Sequence, residues 1–133
     1  MLYSASLEIP AGTAENAPAT QSFDLTHGVV RRIWVVIPPG PRGEVHLAIF
    51  DNLHQVLPAT PGGSVTGDDI TIEFPEDYFM DQVPYTLEIR GWSPTATFKH
   101  SFTVYVLVEG LEMVVASPSS QSLLERISGV FTS

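Results

Sequence analysis

Thr97-Phe-Lys-His-Ser-Phe-Thr-Val-Tyr-Val-Leu-Val-Glu109 is the stretch that decides the fold class. Phe98, Phe102, Val104, Val106 and Val108 share one parity, and Lys99, Ser101, Thr103 and Glu109 share the other. Successive side chains of a strand point to opposite faces, so period two over this span predicts a half-buried β-strand. The same test puts Val45, Leu47 and Ile49 on one side of a strand starting near Gly43. It does likewise for Ile70, Ile72 and Phe74, and for Tyr85, Leu87 and Ile89. Alternation therefore predicts a core containing Val45, Leu47, Ile49, Ile72, Phe74, Leu87, Ile89, Phe102, Val104 and Val106.

Working outward, Gly28 to Pro38 is apolar on both parities toward its end, which suits a central strand covered on two sides. Arg31 and Arg32 interrupt it, so at least one must face away from the core or meet a carboxylate. An interdomain or intersubunit salt bridge is the natural expectation there. Shorter strands are predicted over 3–9, 21–26 and 55–57. Pro38-Pro-Gly-Pro-Arg-Gly43, Pro58-Ala-Thr-Pro-Gly-Gly63, Pro75-Glu-Asp77 and Ser93-Pro-Thr95 punctuate them with proline, glycine and small polar turn residues. The expected architecture is all-β, an antiparallel sandwich or jelly-roll-like barrel of about eight strands.

The end of the chain changes character. Ser117-Pro-Ser-Ser120 reads as a linker, and Ser122-Leu-Leu-Glu125 is a capping-box pattern that opens a short C-terminal helix. Leu123, Leu124, Ile127, Val130 and Phe131 share one face at helical spacing. A helix of about nine residues is not stable alone in water, so its apolar face must dock on something. The domain division is thus 1–110 for the sandwich and 111–133 for a C-terminal arm, with those five residues as the expected partner-binding set.

Composition narrows the function classes. Six Lys+Arg against fifteen Asp+Glu give a net charge of −9 over 133 residues, which disfavours a polyanion such as nucleic acid. There is no cysteine, hence no disulfide framework. No apolar run approaches the roughly 20 residues of a membrane span, and the start lacks a secretory pattern, so a soluble protein made in the cytoplasm is expected.

No catalytic residue is assigned. There is no Gly-x-Ser-x-Gly elbow, and a glycosidase pair of carboxylates is not visible from spacing. Asp68, Asp69, Glu73, Glu76, Asp77 and Asp81 are concentrated enough to suggest calcium. Their spacing departs from the EF-hand pattern, and the expectation is a solvated acidic edge, with Glu73 on a strand and the others in flanking turns. His27, His46, His54 and His100 stand in separate segments without metallohydrolase spacing, so structural roles, no metal and no cofactor are expected. Trp34, Trp92, Tyr3, Tyr85 and Tyr105 offer rings for stacking sugars, although such residues more often close a sandwich core and rim.

Residues 1–110 resemble the small β-sandwich accessory proteins of tailed-phage virions, the head decoration or cement proteins. The resemblance is carried by Leu7-Glu-Ile-Pro10, Leu25-Thr-His-Gly-Val-Val30, Ile37-Pro-Pro-Gly40, Ile49-Phe-Asp-Asn52, Thr66-Gly-Asp-Asp69 and Tyr85-Thr-Leu-Glu-Ile-Arg-Gly-Trp92, followed by a long final strand. It implies a non-enzymatic protein of the virion that binds capsid protein at capsomer junctions, often as a trimer, and reinforces the shell. A carbohydrate-binding or host-attachment module is the alternative.

Overall fold

In the computed structural model, residues 1–110 are described. They form eight strands: β1 (Leu2–Ile9), β2 (Ala19–Asp24), β3 (Gly28–Ile37), β4 (His46–Asp51), β5 (His54–Leu57), β6 (Ile70–Met80), β7 (Thr86–Trp92) and β8 (His100–Glu109). The front sheet has the order β1-β8-β3-β6 and the back sheet β2-β7-β4-β5. All pairings are antiparallel. The first strand pairs with the last, the second with the seventh, the third with the sixth and the fourth with the fifth. That is one long hairpin rolled into two facing sheets, the winding of a jelly roll.

The core lies between the sheets. Phe102, Val104 and Val106 of β8, Ile33 and Val35 of β3, Leu47 and Ile49 of β4, and Leu87 and Ile89 of β7 are fully buried. Each contributes roughly 1.5–3 kcal/mol of burial. Ile72 and Phe74 are only half-buried, because β6 is an edge strand whose inward side chains are covered on one flank. Gly91 faces inward on β7, where a Cβ would overlap the Ile9 side chain of the opposite sheet. The missing side chain is what lets β1 and β7 approach there.

Three expectations require correction. Phe98 was grouped with the core parity of β8, yet it is 74% exposed. The β1–β8 ladder ends at Ile9↔His100 because Pro10 has no amide hydrogen to extend it, so the strand starts after Phe98. Pro75-Glu-Asp77 is not a turn but the middle of β6. An edge strand tolerates proline since one side of its backbone has no ladder partner.

The third correction concerns Arg31 and Arg32. The register of β3 shifts between Val30 and Arg32 against both neighbours. Val30 and Ile33 both remain in the core, and the extra residue between them lets both arginines point outward. Their carboxylates come from the same domain: Arg31 pairs with Asp77 and Glu109, and Arg32 with Glu73.

Candidate interaction surfaces

The two sheets carry different outer faces. On the front sheet the outward parity of β8 contains Ser101, Thr103, Tyr105, Leu107 and Glu109. The register sets Leu2, Leu107 and Arg32 in one row, Ser4, Tyr105, Trp34 and Glu73 in the next, and Ser6, Thr103, Val36 and Thr71 in a third. Leu2 is 57% and Tyr105 36% exposed, while Trp34, Val36 and Leu107 are half-buried. Side chains from three adjacent strands thus form a platform in which Leu2, Leu107, Tyr105, Trp34 and Val36 are interleaved with serine, threonine and one Arg–Glu pair around an aromatic centre.

Ion pairs stand on the same face, and Arg32 with Glu73 lies within the rows themselves. Arg31 Nε donates to Glu109 Oε2 at 3.2 Å while Arg31 Nη1 binds Asp77, and Arg32 binds Glu73. Burial works against the Arg31 cation, but hydrogen bonds to Asp77 and Glu109, helped by their charges, outweigh it and raise its pKa. Glu76 shares the inward parity of Phe74 and Tyr78 on β6. Burial, with the neighbouring Asp77 charge, holds its carboxyl above the usual range.

The back sheet is clad by its own side chains and loops. Ala48 has outward parity on β4 and is nonetheless fully buried. Arg90 lies 4.0 Å above the Phe50 ring, binds Glu88 through Nε, and donates to the Asn52 carbonyl at 3.3 Å. Trp92 stacks on His46 with centroids 5.8 Å apart and is 8% exposed. Gln55 donates to the carbonyls of Pro58, Thr60 and Gly63 and accepts from Gly62, which ties loop 58–63 to β5.

Two clefts open beside Arg90. One, of about 580 Å³, is lined by Asp51, His54, Tyr78, Asp81, Glu88 and Arg90 among others. The other, of about 470 Å³, is lined by Asn16, Thr20, Phe50, Gln55, Arg90 and Trp92 among others. Their principal polar groups already hold one another. Tyr78 donates to Asp51 Oδ2 at 2.5 Å and stacks on His54. Burial first, then that hydrogen bond and the charges of Asp51 and Asp81, push the phenol well above its ordinary pKa.

The remaining candidates disperse. Asp68 accepts from the backbone N–H groups of Arg42 (3.0 Å) and Gly40 (2.8 Å), which hold its carboxyl below the usual range and fasten loop 38–43. Glu73 and Asp77 serve the arginines, and Asp81 lines a cleft, so the acidic segment is spread along β6 and its flanks. No group of three or more metal-ligating side chains among the described residues converges on one point. Tyr3 packs against the core, and Tyr85 against His27. Leu123, Leu124, Ile127, Val130 and Phe131, with the predicted helix that carries them, lie outside the described residues.

Leu2 and Leu107 were absent from the sequence-derived candidates. The signal was present: the outward parity of residues 97–109 contains Tyr105 and Leu107 among its polar members.

No protein-family model matches the chain, and no curated protein matches it. Solved structures similar in their chain course include the following two. One is a chain of Bacillus endospore appendages, described as disulfide-linked pili, with 12% identity over 83% of this chain and 88% of that one, and a TM-score of 0.43. The other comes from the Kashmir bee virus empty particle at acidic pH, with 14% identity over 82% and 90% of the two chains, and a TM-score of 0.44. No residue role is carried over from either.

Proposed function

We propose that this chain is a non-enzymatic structural protein of a virion, of the capsid decoration or cement type, which binds and stabilises a protein lattice. In this reading residues 111–133 are the attaching arm, Leu123, Leu124, Ile127, Val130 and Phe131 are its contact residues, and the protein works as a homo-oligomer, a trimer being the expected form. The observation that supports the proposal is the contrast between the front face, where Leu2, Leu107, Tyr105, Trp34 and Val36 cluster, and back-sheet clefts whose polar groups brace their own loops. A face with an apolar cluster and polar surroundings suits a protein partner.

Particles banded on a density gradient from cultures producing the protein provide the test. The chain is expected to cosediment with shell protein in a fixed copy number. Stripping it should lower the temperature at which the particles break, and adding it back should restore that temperature. Its absence from the bands, or stripped particles of unchanged resistance, contradicts the proposal.

The Trp34–Tyr105 neighbour pair favours one second reading, carbohydrate binding by ring stacking. It predicts glycan-array binding that disappears in Trp34→Ala while the fold persists. Trp92 is a weaker candidate for that role, since His46 already occupies one of its faces.

A further inference from the structure

We infer that the front-sheet platform of one copy is the seat for the C-terminal arm, residues 122–131, of a second copy. The inference rests on reading residues 111–133 as an attachment arm and names the surface that receives it.

Three observations meet here. The platform and the arm both offer apolar side chains, Leu2, Leu107, Tyr105, Trp34 and Val36 on the sheet and Leu123, Leu124, Ile127, Val130 and Phe131 in the arm. The dimensions agree as well. From Thr103 to Leu107 the strip runs four residues along β8, about 13 Å at strand rise. The predicted helix of about nine residues rises about 13.5 Å.

The third observation is where the described chain ends. β8 leaves the sheet at Glu109 heading away from the platform, past the Arg31–Asp77–Glu109 pairs at the rim. Eleven residues, 111–121, including the 117–120 linker, separate that end from the predicted helix and span at most about 36–40 Å when extended. A sandwich of this size has a radius of gyration of about 13 Å and is about 34 Å across. The spacer is therefore long enough to reach the platform of an adjoining copy. Each copy carries both a donor and a seat, so the exchange is satisfied by two copies reciprocally or by a head-to-tail ring or chain.

The test uses the full chain labelled with 5-fluorotryptophan, which gives separate fluorine resonances for Trp34 and Trp92. On raising the concentration, the Trp34 resonance is expected to shift in step with the mass seen by sedimentation, while that of Trp92 stays in place. Ile127→Asp, which lacks the arm contact, and Leu107→Asp, which lacks the seat, should each remain monomeric with unchanged circular dichroism. Mixing these two variants should restore association, because one supplies the arm and the other the seat.

A Trp34 shift that is independent of concentration but lost in Ile127→Asp places the arm on its own sandwich and overturns the inference. Association that survives both variants overturns it too, as does a chain that stays monomeric with Trp34 static. The particle experiment fails separately: arm exchange without particle binding removes the virion reading and leaves this contact standing.

Discussion

The front and back sheets share one core but treat their outer faces in opposite ways. The back sheet covers itself, with Arg90 laid over Phe50, Trp92 against His46, and a glutamine-tied loop beside them. The front sheet leaves Leu2 and Tyr105 exposed among half-buried Trp34, Val36 and Leu107, and pairs its charges on the same face, Arg31 with Asp77 and Glu109, Arg32 with Glu73, and Lys99 with Glu8. The difference teaches which surface is structural and which is available. A polar group engaged with its own domain stabilises the fold. A cluster of apolar groups left outside it remains available to a partner.

The contrast can be broken at several points, beginning with the core common to both sheets. Phe102→Ala is expected to cost about 3–5 kcal/mol in denaturant unfolding, because the ring is fully buried and a cavity would remain. A loss near zero would mean that the β8 register is wrong, and the outer-face assignment would fall with it.

Outer-face substitutions come next in size. Arg90→Ala on the back sheet should cost about 1–2 kcal/mol, since one side chain provides a carboxylate pair, a carbonyl hydrogen bond and the cover over Phe50. Tyr105→Ser on the front sheet should stay within about 0.5 kcal/mol. Equal losses in a thermal-melt comparison would erase the distinction between the two faces.

The smallest effect is the pH dependence of Glu76. Its carboxyl is raised in the folded state, so its contribution to stability is fully present below its unfolded pKa and is lost as pH rises through the folded value. Glu76→Gln should therefore stabilise the protein at pH 7, by no more than about 0.5 kcal/mol after solvent screening, and leave it unchanged well below pH 4. Parallel melts at the two pH values check this. A variant less stable at pH 7 would mean that the charged carboxylate is favourable.

Much of this was legible in the sequence, and the exceptions have physical causes. Period-two alternation located β4, β7 and β8, and proline and glycine clusters marked most of the turns between strands, since both signals are local. Phe98 was misassigned because strand length depends on a partner: β1 stops at Pro10, some 90 residues away in sequence. The carboxylates that meet Arg31 and Arg32 were hidden because a bulge, invisible to a periodicity test, turns both outward. The platform was missed for the opposite reason. Tyr105 and Leu107 were in plain view, but only the register that brings Leu2, Trp34 and Val36 beside them makes a surface of them.

On the proposal that residues 111–133 are an attaching arm, the sandwich should be complete without them and attachment should not be. Comparing the full chain with one lacking residues 117–133, for thermal midpoint and for occupancy on purified particles in the same preparation, tests it most directly. The account predicts an almost unaltered midpoint with occupancy strongly reduced. An isolated domain that unfolds on truncation, or a shortened chain that still fills the particle sites, would contradict it.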